Sequence, residues 1–161
     1  MRIQIFGTTV RAYGKRFDAD AQEVSDRVIQ MLSGIDPELA VVDFMHLVVA
    51  VHDRGPHHQT SRWLNTHGIT ATFAKQMIRE AGTPLAQSGM AMLHTFNVAS
   101  LLADARKAEG GSDRINCFDL LFAGLSSDAP TVEHLRYHLQ ATKLGFLQTL
   151  GAPSVLLELI A

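Results

Sequence analysis

The sequence predicts an all-α fold made of two tandem, pseudo-symmetric repeats of four helices each. The first observation is a pattern that occurs twice: residues 42–51 (VDFMHLVVAV) return as residues 115–124 (INCFDLLFAG). In both copies a polar residue opens a short apolar helix with an alanine near its end. The second observation is the three-and-four spacing of apolar residues in the surrounding segments, which is typical of amphipathic helices. A repeated unit directs attention to the surface that two packed repeats present.

The first repeat is predicted to span residues 18–81. Its first helix follows a cap at Asp18 or Asp20 and ends at Gly34, and Asp43 caps the second helix, which is apolar on nearly every side. Gly68 is suitably placed for the left-handed end of the third helix. The four helices are expected at about residues 18–33, 43–51, 58–66 and 70–80.

The second repeat is predicted to span residues 85–150, after a linker at residues 81–84 (AGTP). A long helix comes first, and a glycine-rich turn separates it from the second apolar helix. Its helices are expected at about residues 85–108, from 116, from about 131, and at 144–150. The tail, residues 151–161, carries a final helix over residues 155–160. This helix is too apolar to remain solvated, so homodimerisation through Leu156, Leu157, Leu159 and Ile160 is one interpretation.

Residues 1–17 are predicted to form an N-terminal extension outside the repeats. Apolar and polar residues alternate weakly in this segment around Gly7. The alternation favours an edge strand or a short hairpin.

Composition excludes several classes of protein. The 161 residues are 47% hydrophobic and 19% charged, which is typical of a globular chain. The net charge of -2 gives no general attraction to nucleic acid or to an anionic membrane. The single cysteine, Cys117, forms no internal disulfide and fits a reducing compartment. No signal peptide is recognisable, and apolar stretches fall short of the ~20 residues of a membrane span. We therefore expect a soluble, cytoplasmic protein.

The repeated pattern resembles a known family. Residues 46–50 (HLVVA) and 64–70 (LNTHGIT) of the first copy match the motifs Gly-Thr-Glu-His-Leu-Leu-Leu-Ala-Leu and Leu-x-x-x-Gly-Val-Asp. Residues 119–123 (DLLFA) match in the second copy, and residues 139–145 match less well. These are motifs of the Clp-N double repeat, the amino-terminal domain of Clp chaperone ATPases. The resemblance covers about residues 18–150 and implies a groove between repeats that receives adaptors or substrates.

Two departures from this family limit what the resemblance implies. The only Gly-Lys pair, Gly14-Lys15, precedes arginine and lacks the upstream glycine of a phosphate loop, so no ATPase is expected. Some members recognise phosphoarginine through the motif glutamate of each repeat. Met45 and Phe118 stand at those positions here, and neither side chain can pair with a guanidinium.

The leading functional prediction is a non-catalytic adaptor or chaperone module that binds protein or peptide, including components of a Clp chaperone–protease. Docking is expected in an apolar groove with a polar rim, without a cofactor, nucleic acid or membrane. Trp63 and Tyr137 lie at similar points of the two repeats and are expected to line the groove. The predicted binding residues are Met45, Phe118, Trp63, Tyr137, Arg62, Arg54, Glu133 and Arg136.

The alternative prediction is a small metal-dependent or hydrolytic enzyme that uses clustered histidines. His134 and His138 are four residues apart and would share a helix face, with Glu133 before them. The sequence shows no third ligand after these two histidines, so their spacing favours a solvated surface over a metal site. His52, His57 and His58 flank a Gly-Pro loop and could surround an ion, but an exposed loop explains these histidines equally well. A nucleic-acid binder is a third interpretation and ranks last, because the basic residues are dispersed.

Overall fold

The structure, a computed structural model, describes residues 1–81 and 85–160. This part of the chain is all-helical, which confirms the predicted all-α class, and it contains no strand. The predicted linker falls largely on residues 82–84, outside the described residues. The helices are α1 Ile3–Tyr13, α2 Ala19–Leu32, α3 Phe44–Asp53, α4 Gln59–Thr66, α5 Ala71–Ala81, α6 Leu85–Ala108, α7 Cys117–Leu125, α8 Pro130–Leu139, α9 Lys143–Thr149 and α10 Ser154–Ile160.

The N-terminal strand or hairpin prediction is wrong, because residues 3–13 form helix α1. Ile3, Phe6 and Val10 follow the three-and-four spacing of a helix and bury one face of α1. Gly7, which suggested a turn, lies on the same buried side and faces the side chain of Ile29. Tertiary burial therefore outweighs the weak alternation and the low helix propensity of glycine.

The segment predicted as an extension is part of the core. Phe96 of α6 is fully buried and receives aromatic rings from both α1 and the turn after it. Its ring centroid lies 6.1 Å from that of Phe6, 5.3 Å from that of Tyr13 and 6.1 Å from that of Phe17. Helix α1 and α6 thus share one hydrophobic cluster.

The two copies of the repeated pattern begin with the same capping arrangement. At α3 the Asp43 carboxylate accepts from the Met45 N–H at 3.4 Å, and the Asp43 N–H donates to His46 Nδ1 at 3.0 Å. At α7 the Asn116 side chain accepts from the Asp119 N–H at 2.8 Å, and Asp119 Oδ2 accepts from the Asn116 N–H at 3.0 Å. Both are capping boxes, which satisfy backbone donors at the helix start.

The C-terminal tail packs on the molecule itself. Leu156 of α10 is 1% exposed, and Leu157 and Ile160 pack against the core, whereas Leu159 is 52% exposed. Burial within the molecule therefore largely explains the apolar composition of the tail. Among the described helices, none combines the length and the hydropathy that a membrane crossing requires.

We expect His46→Gln to reduce the loss of stability that the protein suffers on acidification. Burial lowers the pKa of His46, although the charge of Asp43 and a hydrogen bond with its backbone oppose this effect. Because the pKa is lower in the folded state, the histidine's contribution is complete above about pH 6.5 and lost as the pH falls through the folded pKa. Protonated Nδ1 cannot accept the Asp43 N–H, whereas glutamine at this position can and does not titrate.

Urea unfolding of both proteins between neutral and mildly acidic pH tests this prediction. Burial raises the pKa of Asp43, which by itself makes stability fall as the pH rises through its folded pKa. The charge of protonated His46 lowers the pKa of Asp43, so the difference between the two proteins reports on the coupled Asp43–His46 pair. Parallel stability curves for wild type and His46→Gln would contradict the prediction.

Candidate functional site

A cluster of three aromatic side chains joins α4 to α7. The ring of Trp63 meets Phe118 at a centroid distance of 5.6 Å and Phe122 at 5.1 Å, both in edge-to-face geometry. Trp63 and Phe118 are half-buried, and Phe122 is 8% exposed. Edge-to-face contacts of this kind stabilise by about 0.5–1.5 kcal/mol beyond burial. The cluster is a rigid, partly exposed apolar surface, and we call it the aromatic cluster.

A cavity of about 220 Å³ adjoins the aromatic cluster at Phe118. It lies where the start of α2, the end of α3, the start of α4 and the start of α7 meet. We call it the Arg54 pocket, and its charged and polar lining includes Asp18, Asp20, Arg54, His58 and Asn116.

Arg54 is held rigidly within this pocket. Its side chain is 2% exposed, and Nη2 donates to Asp20 at 2.5 Å and lies 3.1 Å from His58 Nδ1. Its Nε lies 3.3 Å from the Glu23 carboxylate, close enough for charge attraction, but makes no hydrogen bond with it. A buried charge of this kind requires such partners, because desolvation of an isolated cation is costly. Arg54 therefore organises the pocket and has little surface free for a ligand.

The pocket has a net negative lining. Two carboxylates, Asp18 and Asp20, face one guanidinium, Arg54, which leaves a charge of about -1 when His58 is neutral. The Asp20 side chain remains 62% exposed. The pocket is therefore suited to a cationic group next to the apolar surface of the aromatic cluster.

The Cys117 thiol in the pocket lining is not an activated nucleophile. Burial raises its pKa to about 12, and the nearby Arg54 charge offsets this only in part. Arg54 Nη1 lies 3.7 Å from the sulfur. Nucleophilic cysteines need a lowered pKa, so this thiol behaves as a small core residue, as the sequence suggests.

A serine–histidine pair near α4 has the geometry of a catalytic dyad but no access to a substrate. His52 Nδ1 lies 2.7 Å from Ser61 Oγ, and Nε2 lies 2.7 Å from the Ile69 carbonyl oxygen. Since the carbonyl can only accept, Nε2 carries the proton and Nδ1 accepts from the serine hydroxyl. Ser61 is 1% exposed. The pair therefore connects α3 and α4 to the turn that precedes α5.

The structure brings together three of the predicted binding residues and separates others. Arg54, Trp63 and Phe118 lie in or beside the pocket and the aromatic cluster, and Arg62 is exposed next to Trp63 on α4. Met45 is 0% exposed. It therefore fills the core and offers no surface to a ligand in this conformation.

The other three predicted residues lie on α8. Glu133 accepts from Gln87 of α6 at 3.3 Å, and Arg136 donates to the Ser127 carbonyl at 3.1 Å. Tyr137 is 82% exposed, in contrast to the half-buried Trp63. The expected symmetry between these two aromatic side chains is therefore not seen in their environments.

Sequence reasoning also missed one contact. The Glu80 carboxylate of α5 lies beside both His134 and His138 of α8. The histidine spacing was visible in the sequence, but nothing in the sequence placed a residue 54 positions upstream next to His134.

Comparison with known proteins adds no family to this description. No protein-family model, curated protein or solved structure matches the chain. The geometry described above is therefore the basis for the functional proposal.

Proposed function

We propose that this protein is a non-catalytic module that binds a peptide segment of another protein. The aromatic cluster next to the Arg54 pocket is the observation that carries this proposal. Partly exposed tryptophan beside other aromatic side chains is the surface type that concentrates binding energy in protein interfaces. The buried Ser61 and the unactivated Cys117 support binding over hydrolysis.

The proposed ligand has an apolar side chain next to a basic one. The apolar group packs against Trp63 and Phe118, and the basic group enters the Arg54 pocket towards Asp18 and Asp20. Burial of the apolar group supplies most of the affinity, whereas the charge pairing selects the sequence. A peptide with an acidic residue in place of the basic one is repelled by the negative lining of the pocket and binds more weakly.

Local geometry supports a further proposal, that the helices form two Clp-N-like repeats. Gly68 after α4 has φ = 77° and Gln140 after α8 has φ = 49°, both in the left-handed region. Thr70 and Thr142, each two residues later, cap the next helix through their hydroxyl oxygens at 3.1 Å. Together with the two capping boxes, these features repeat in the same order in both halves. In this register Gln140 corresponds to the family's motif glycine.

We propose on this basis that the partner is a protein substrate, or a component of a Clp chaperone–protease. Under this proposal the protein keeps the family's role of binding proteins but does not recognise phosphoarginine. Phe118, at one of the motif glutamate positions, contributes an aromatic face where a carboxylate would pair with a cation. The negative charge next to it comes instead from Asp18 and Asp20 of α2.

The sole tryptophan makes the proposal directly testable. Trp63 is the only tryptophan in the chain, so its fluorescence reports on the proposed site alone. We expect peptides with a Phe-Arg pair to change this fluorescence saturably, and the matched Phe-Asp peptides to bind more weakly. Labelled versions of the same peptides give the affinity of variants by anisotropy.

Substitutions then locate the binding surface. Trp63→Ala is expected to weaken binding about 30-fold, the loss that corresponds to a hot spot of about 2 kcal/mol. Phe118→Ala is expected to act in the same direction. Tyr137→Ala is the matched control, because it removes an exposed aromatic side chain from α8. Equal losses in Tyr137→Ala, or no binding of either peptide class to the wild type, would contradict the proposal.

A further inference from the structure

Three side chains that commonly bind metals meet at one point between α5 and α8. His134 Nε2 lies 3.1 Å from Glu80 Oε2, and His138 Nε2 lies 3.5 Å from the same oxygen. All three potential ligand atoms lie within 4.8 Å of one another. Within residues 1–81 and 85–160 this is the one group of its kind.

The separations match those of a tetrahedral zinc site. Metal–ligand bonds of about 2.0–2.1 Å at the tetrahedral angle place neighbouring ligand atoms about 3.4 Å apart. The two nitrogen–oxygen distances already lie close to this value. The histidine rings meet edge to face with centroids 4.6 Å apart, and no pair of the three ligand atoms is separated by more than 4.8 Å.

The helices hold the ligands in a suitable register. His134 and His138 are four residues apart on α8, which places them on one face one turn apart. Gln76, one turn before Glu80 on α5, donates to Glu80 Oε1 at 2.7 Å. This hydrogen bond orients the carboxylate so that Oε2 is left for the histidines, as groups that hydrogen-bond to metal ligands do in metal sites.

We propose that Glu80, His134 and His138 form a binding site for Zn²⁺, with water as the fourth ligand. Two imidazole nitrogens and one carboxylate select a transition metal over Mg²⁺ or Ca²⁺, which prefer oxygen ligands. The side chains are 39%, 28% and 50% exposed, so an ion can enter from solvent. A bound ion would link α5 to α8 and stabilise the folded chain, because the unfolded chain does not hold the three ligands together.

Calorimetric titration of the full chain with ZnCl₂ tests the proposal, with MgCl₂ as the reference cation. We expect one Zn²⁺ per chain, no detectable Mg²⁺ binding and an upward shift of Tm with Zn²⁺. Glu80→Gln, His134→Gln and His138→Gln each remove a proposed ligand. Each should weaken Zn²⁺ binding at least about 100-fold, the largest loss usual for removing a group that only hydrogen-bonds to a ligand. Gln76→Ala should weaken it about tenfold.

His57→Gln combined with His94→Gln is the matched control. It also removes two exposed imidazoles, but neither belongs to the cluster. We expect this variant to bind Zn²⁺ and to gain Tm like the wild type. Absence of Zn²⁺ binding by the wild type would overturn the proposal, as would equal binding by the wild type and all three ligand variants. Circular dichroism of the His138→Gln variant, whose substitution is at an exposed position, shows whether the variant is folded. A folded variant that no longer binds Zn²⁺ has lost a ligand and not its structure.

Discussion

Replacing Gly124 with alanine is expected to destabilise the protein by about 3 kcal/mol, the upper end of ordinary overpacking costs. Alanine is the better helix former, so helix propensity alone predicts that the substitution stabilises the protein. A Cβ at Gly124 of α7 would overlap Cδ2 and Cε2 of the Phe44 ring. Phe44 is 1% exposed and lies at the start of α3, so its ring has no free space to move into. The close approach of α3 and α7 therefore requires glycine here.

Chemical denaturation of Gly124→Ala against Gly89→Ala measures this effect. In the second turn of α6, a Cβ at Gly89 would lie 4.0 Å from its nearest neighbour, Met1 Cα, which is an ordinary contact. Gly89→Ala should therefore be neutral or stabilise by up to about 1 kcal/mol. Adding Phe44→Leu to Gly124→Ala should recover part of the loss. Equal stability of the two glycine variants would show that the close approach does not limit packing.

Phe96→Ala is expected to destabilise the protein by about 3–5 kcal/mol, the range for a fully buried phenylalanine. Phe96 has no exposed surface and carries the aromatic contacts of Phe6, Tyr13 and Phe17. The substitution removes the surface on which α1 packs, so α1 should lose hydrogen-exchange protection more than the rest of the chain.

Leu93→Ala is the control for this prediction. Leu93 lies one turn earlier on α6 and is 46% exposed, so its truncation should cost less than about 1 kcal/mol. Full protection of α1 in a folded Phe96→Ala variant would contradict the inferred role of Phe96 in anchoring it.

The sequence predicted the helices well where the signals were local. The cap at Asp43 is confirmed, Asp18 is the cap of the two candidates offered for α2, and the helix expected from residue 116 and the long helix that ends at Ala108 are also present. Each depends on a few neighbouring residues: a capping side chain reaches two or three positions along the chain, and amphipathic spacing repeats every turn. The prediction for α1 was wrong because the alternation around Gly7 was given more weight than the three-and-four spacing of Ile3, Phe6 and Val10, which pack on Phe96 and the core.

The binding residues were predictable in part. Trp63 and Phe118 were singled out from the sequence, and the structure brings their rings together. Arg54 was expected at an exposed rim, but the carboxylates of Asp20 and Glu23 allow it to be buried. Met45 lies in the core because the helix that carries it is enclosed on nearly every side.

By itself, the sequence determined the helical class and the polar starts of α2, α3 and α7, because these depend on residues within one or two turns of each other. Only the tertiary structure decided which distant side chains meet. Glu80 reaches His134 across 54 residues, and Gly124 meets Phe44 between helices. Such contacts depend on how the helices pack, and the spacing of residues along the chain does not encode those distances directly.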